Sequence, residues 1–128
     1  MEEQKLNLSH EDFGSFTSNL FKSLHNDTNF RDITLVTNDN TCIQAHRVVL
    51  ASCSSVFEEM LKASTHPTIQ LSDVNSKSLI YILEFMYMGE TNVPVSEFHE
   101  FLNVGTQFQV QGLLTKINSG SFKIKEEM

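Results

Sequence analysis

The chain has 128 residues and a mass of 14.6 kDa, enough for one domain that buries its own core without a metal or disulfide staple. It is 40% hydrophobic and 20% charged, with five glycines and two prolines, which excludes the disordered, collagenous and low-complexity classes. Sixteen acids against nine Lys and Arg leave a net charge of −7, which repels phosphate backbones, and no apolar run approaches the ~20 residues of a membrane span. Direct contact with nucleic acid or insertion into a bilayer is therefore not expected of this domain.

The first residues, Met1-Glu2-Glu3-Gln4-Lys5, lack the basic-then-apolar order of a signal peptide. Leu6 and Leu8 alternate around Asn7 and predict a short N-terminal strand. Ser9, with an acid three residues on at Asp12, fits a capping box at a helix start. Phe13, Phe16, Leu20, Phe21 and Leu24 then share one helical stripe. The period changes at Asp32-Ile33-Thr34-Leu35-Val36, which reads as a strand. Asn38-Asp39-Asn40 supplies turn chemistry before a second strand, Thr41-Cys42-Ile43-Gln44-Ala45, so the pair predicts a β-hairpin.

Helical spacing returns at Val49, Leu50, Cys53, Phe57, Met60 and Leu61, and Ser54 or Ser55 offers a fresh cap that splits the stretch into two helices. Pro67 with Ile69 and Leu71 predicts a third strand. Asn75 or Ser76 caps a helix with Leu79, Ile82, Leu83 and Met86 on its face, and Gly89 stands where its C-terminus needs a left-handed residue. Val93-Pro94-Val95 reads as extended. Ser96 opens a helix bearing Phe98, Leu102, Gly105 and Phe108, and a last helix runs through Leu113, Leu114 and Ile117. Asn118-Ser119-Gly120-Ser121 and the charged stretch from Lys123 to Met128 read as a linker and tail, residues 118–128. Strands cluster early and helices dominate later, which is an α+β pattern and a poor fit to a doubly wound nucleotide fold.

The residues present no catalytic constellation. His10, His25, His46, His66 and His99 fall one per element. Cys42 and His46 make a Cys-x-x-x-His pair with no second pair to complete a zinc site. Cys53 lies among Leu50 and Phe57, where burial raises a thiol's pKa and suppresses nucleophilicity. There is no phosphate loop and no Gly-x-Ser-x-Gly. Cys42 and Cys53 read as reduced, mostly buried thiols of a cytosolic or nuclear protein. No enzyme activity, metal or cofactor is expected. Asp32 at the start of a strand and Arg47 at a helix start are placed to meet across the hairpin as an ion pair. Ile124-Lys125-Glu126-Glu127 fits the short hydrophobic-Lys-x-Glu pattern of SUMO acceptors, with Lys125 as the target.

The segments Asn29–Leu35, Ile43–Phe57, Ile69–Leu71, Leu83–Glu90 and Leu102–Leu113 resemble, in order and spacing, the BTB/POZ domain, over roughly residues 6–117. The resemblance implies an α+β fold of clustered short helices flanked by a small sheet, a domain covering residues 1–117, and a homodimer. In long-form members an N-terminal strand and helix swap across the dimer, and residues 6–25 supply both. The implied interface is Leu6, Leu8, Phe13, Phe16, Leu20, Phe21 and Leu24, and Asp32 with Arg47 matches the family's charged pocket.

Two subtypes differ in function. Cullin-type ubiquitin-ligase adaptors carry a hydrophobic-x-Glu motif where this chain reads Leu61-Lys62-Ala63-Ser64-Thr65 without a glutamate. Transcription-factor members place the domain at the N-terminus, ahead of a linker and zinc fingers. The resemblance therefore implies an interaction module of a nuclear transcription or chromatin regulator, partnered by itself, by other BTB proteins and by co-regulator peptides. The alternative is a cytoplasmic substrate adaptor of a cullin ligase. Gly105 departs from the small alanine usual in the family, and the tryptophan of members that assemble beyond dimers is absent.

Overall fold

A computed structural model describes residues 3–113. Its elements run α1 (Phe13–Ser23), a 3-10 turn (Leu24–Asn26), β1 (Ile33–Val36), β2 (Cys42–Ala45), α2 (Arg47–Cys53), α3 (Ser55–Ala63), β3 (Thr68–Gln70), α4 (Ser76–Met88), a second 3-10 turn (Val95–Glu97) and α5 (Phe98–Gln107). The predicted hairpin forms: β1 pairs antiparallel with β2 in the register Ile33 to Ala45 and Leu35 to Ile43. β3 adds in parallel on the other side of β1, giving the order β2-β1-β3. Ile33 and Leu35, two apart, point the same way into the core, as a two-residue period requires.

The helices cover that face. Leu35, Val49, Leu50, Phe57, Val74, Leu79, Ile82 and Val110 are fully buried. The Phe57 and Phe108 rings stack with centroids 4.5 Å apart, tying α3 to the end of α5. Ser54 divides α2 from α3 as expected. Its backbone is extended, and its hydroxyl accepts the Phe57 N–H while donating to the Phe108 carbonyl. Asn75 caps α4 by accepting the Ser78 N–H at 2.8 Å. Gly89 ends α4 in the left-handed region at φ 81°, its N–H returning to the Phe85 carbonyl at 2.9 Å.

Several expectations are corrected. Ser9 does not cap α1: its hydroxyl donates to Asn7 Oδ1, and Asp12 holds the N-cap position in left-handed backbone with no side-chain cap bond. A polar hydroxyl in water needs no backbone partner, so the exposed Ser9 satisfies itself locally. Leu6 and Leu8 form no strand, because none of the described residues pairs with them. Ser96 lies inside a 3-10 turn, and α5 begins at Phe98. The buried face of α5 is Phe101, Val104, Gly105 and Phe108, with Phe98 and Leu102 only half-buried. Gly105 and Phe108 of the predicted stripe are buried, while Phe101 and Val104 take the inward places expected of Phe98 and Leu102, since apolar residues flank this helix on two sides. Of the last predicted helix only Leu113 is described, and it is buried; Leu114, Ile117, the 118–128 linker and Lys125 lie outside the described residues.

Gly105 has a packing reason. A β-carbon there would stand 2.5 Å from Leu113 Cδ2, so an alanine would require the Leu113 side chain to shift.

Candidate interaction surface

Among the described α-helices, α1 alone has no buried residue. Its stripe divides. Phe21, at one margin, brings its ring 6.3 Å from the Tyr87 ring of α4, and Leu24 packs on the core at the C-terminal end. Phe13, Phe16 and Leu20 stay outside, exposed by 58%, 51% and 54%. Leu6 and Leu8, preceding the helix, are each 91% exposed. The His10 ring folds back over the helix, its centroid 5.0 Å from Phe16 and 5.7 Å from Phe13. The result is an apolar arm, aromatic at its centre, with water on one side. Five large side chains left out of a core are more than scattered surface hydrophobics require.

The arm is seated on a rigid support. Tyr87 is buried, and its hydroxyl accepts the His46 backbone N–H at 3.0 Å and lies 2.6 Å from His46 Nδ1. His46 Nε2 is 3.2 Å from the Asn29 carbonyl, which can only accept. That assigns the ring proton to Nε2 and makes Nδ1 the acceptor of the Tyr87 hydroxyl. Burial raises the pKa of Tyr87, against a smaller lowering from the His46 N–H. The His25 ring meets Tyr87 edge-on at 5.4 Å. Tyr87 thus joins the end of α1, the start of α2 and the Asn29 turn. Between α1 and the end of α4 lies an open hollow of about 380 Å³, bounded by Thr17, Ser18, Lys22 and Met88.

Asp32 and Arg47 are brought together, though not as the expected ion pair. Asp32 Oδ1 accepts the backbone N–H of Arg47 at 2.7 Å, capping α2 from outside the helix. The Arg47 guanidinium turns to carbonyls, with Nε to Asp32 O at 3.2 Å and Nη2 to His66 O at 2.8 Å. α2 starts without a side-chain cap of its own, so the nearest carboxylate takes that donor. Cys42, expected to be buried, is exposed on edge strand β2, whereas Cys53 is half-buried with its thiol pKa pushed up by burial. Both are free thiols. Among the described residues no group of three His, Cys, Asp or Glu side chains is placed to hold a metal. No described helix is long and apolar enough to cross a membrane.

Sequence reasoning did not single out Tyr87 as a hub, because a tyrosine at the end of an apolar helix looks like any other core aromatic. It also passed over Phe30, which is 85% exposed at positive φ. The only sequence mark of that position is an aromatic set among turn residues.

The fold and this surface define an α+β domain of clustered helices on a small sheet, with an exposed apolar arm before and along α1. The BTB/POZ domain family model matches residues 21–121. The chain is 38% identical over 113 residues to Longitudinals lacking protein-like of Drosophila melanogaster, covering 87% of this chain and 88% of that protein. It is 40% identical over 103 residues to the Broad-complex core protein of the same organism, covering 79% of this chain but 14% of that protein. The BTB domain of zebrafish PATZ1 superposes with a TM-score of 0.76 at 18% identity, over 90% of this chain and all of that one. The chain belongs to the BTB/POZ domain family.

Proposed function

We propose that this BTB/POZ domain is the homodimerising protein–protein interaction module of a nuclear regulator of transcription or chromatin. It recruits co-regulators without contacting DNA itself. The observation that carries the reading is the outward arm of Leu6, Leu8, Phe13, Phe16 and Leu20, an apolar face made ready for a second subunit. Two further features agree. Thr91 Oγ1 is buried without a hydrogen-bond partner in the irregular stretch after α4, and Leu6-Asn7-Leu8 has strand alternation with no strand to join among the described residues. Phe21 and Leu24 belong to the same interface by holding the arm in place, and Asp32 with Arg47 sets the turn beside it. The domain spans residues 1–117, followed by a linker.

Its further partners are proposed to be co-regulator peptides and other BTB domains, with the arm as the surface offered to them. The nuclear reading rests on relatives such as the Broad-complex core protein, in which this length of chain is a small part of a much longer protein. Lys125 is the proposed SUMO acceptor within Ile124-Lys125-Glu126-Glu127. The cullin-adaptor alternative lacks its glutamate: α3 ends at Ala63 and the following Ser64-Thr65 carry no acid. A pull-down with a cullin N-terminal domain separates the two readings. Capture at micromolar concentration would move the protein to the adaptor class. SUMO conjugation that persists in Lys125→Arg would remove Lys125 from the proposal.

A further inference from the structure

The motif expected to cap α1 is left without that use. In Ser9-His10-Glu11-Asp12 a hydroxyl stands two and three residues ahead of carboxylates, yet it donates to Asn7 Oδ1 at 3.0 Å and caps nothing. Residues 3–10 form neither helix nor strand, and every residue from 3 to 16 is exposed. Glu11 and Asp12 form no ion pair among the described residues. A serine on solvated, irregular chain with free acids just after it suits a protein kinase whose substrate groove is basic. The segment can lie extended along such a groove, and each carboxylate meets a Lys or Arg there.

The chain holds a serine three residues before an acid twice, and the structure separates the two. The second is Ser55, ahead of Glu58. Ser55 opens α3, its hydroxyl donates to Gln109 Oε1 at 2.8 Å, and Glu58 pairs with Lys62 at 3.6 Å. Entering a groove would unwind a helix start that the buried Phe57 holds in the core. Ser9 needs no unfolding. Its bond to Asn7 sets both side chains on one side of the arm, and in an extended chain Leu6 and Leu8 take the alternate positions. Covering Leu6 and Leu8 therefore leaves the Ser9 hydroxyl open.

We propose that Ser9 is a phosphorylation site, taken by a protein kinase that reads the acids following it. Ser9 Oγ attacks the γ-phosphorus of ATP, the bond from that phosphorus to the β–γ bridging oxygen breaks, and ADP leaves. The hydroxyl proton passes to the kinase's catalytic base. The phosphate adds about −1.5 to −2 charge just before Glu11 and Asp12, which makes the polar side of the arm strongly anionic. The site does not depend on whether a second copy covers the arm, so its test leaves the homodimer reading untouched.

The test treats the folded full chain with radiolabelled ATP and a purified acid-directed serine kinase that is active on an acidic control peptide. Peptide mapping then locates the label. Label is expected on Ser9 and should be lost in Ser9→Ala, a change in exposed irregular chain that the fold tolerates. Asp12→Asn removes the acid three residues on, and Asn accepts the left-handed backbone at φ 60° as readily as Asp does. That variant should be labelled about 10-fold more slowly, the worth of one charge-assisted hydrogen bond. A chain that takes no label, label on Ser55 in place of Ser9, or a rate unchanged in Asp12→Asn would each overturn the proposal.

Discussion

Asp39 closes the β1–β2 turn onto α4. Its carboxylate accepts the Ser76 hydroxyl at 2.6 Å and the Thr37 hydroxyl, and these donors, Ser76 first, lower its pKa to about 2. The ordinary value is about 3.9. A depressed folded-state pKa gives stability that is complete above pH ~4 and is lost as pH falls toward ~2. Asp39→Asn should therefore lower the urea midpoint at pH 7 and flatten its fall across that window. An unchanged acid slope would refute the role given to Ser76 and Thr37. Gly89 allows an equally clean test. Nothing lies within 4 Å of where its β-carbon would stand, so Gly89→Ala has only the φ of 81° to oppose it. The expected cost is about 1 kcal/mol in denaturant unfolding. At Tyr87 the cost is polar: Tyr87→Phe leaves the buried His46 N–H without its acceptor and Nδ1 without its donor. A loss on the order of 2 kcal/mol is expected, with the packing of α1 loosened in hydrogen exchange.

Elements whose local chemistry and packing agree were legible in the chain. The hairpin, the division of α2 from α3 at Ser54, the Asn75 cap and the Gly89 stop each rest on a residue type that has one inexpensive use at that place. The differences arise where the deciding partner is distant in sequence or absent from the chain. Asp32 was paired with the wrong part of Arg47, since only the structure shows that α2 begins with an uncapped N–H 15 positions away. The buried face of α5 depends on Leu113 and Phe57, and a helical stripe flanked by apolar residues on both sides does not fix its own rotation. Leu6 and Leu8 have strand alternation with no strand to join among the described residues. The candidate surface was legible as composition, three phenylalanines on one short helix, but not as a division between Phe21 facing inward and Phe13, Phe16 and Leu20 facing out.

At the scale of the molecule, that division decides what a substitution on α1 does. Within a single chain Phe16 is 51% exposed, so Phe16→Asp should cost almost nothing if the domain acts alone. Against a second subunit the same change places a carboxylate in an apolar interface with no partner. The protein should then be insoluble or unfolded, because the arm has no other cover. The wild-type chain carries the complementary sign. If the arm is buried by association, folding and dimerisation are one equilibrium, and mass action raises the melting temperature with protein concentration. Each tenfold increase shifts that equilibrium by about 1.4 kcal/mol, worth roughly 3–5 °C for a dimer of this size. A melting temperature constant across two decades of concentration, together with a folded species of 14.6 kDa at micromolar concentration, would refute the obligate dimer. The exposed side of α1 would then belong to a different protein.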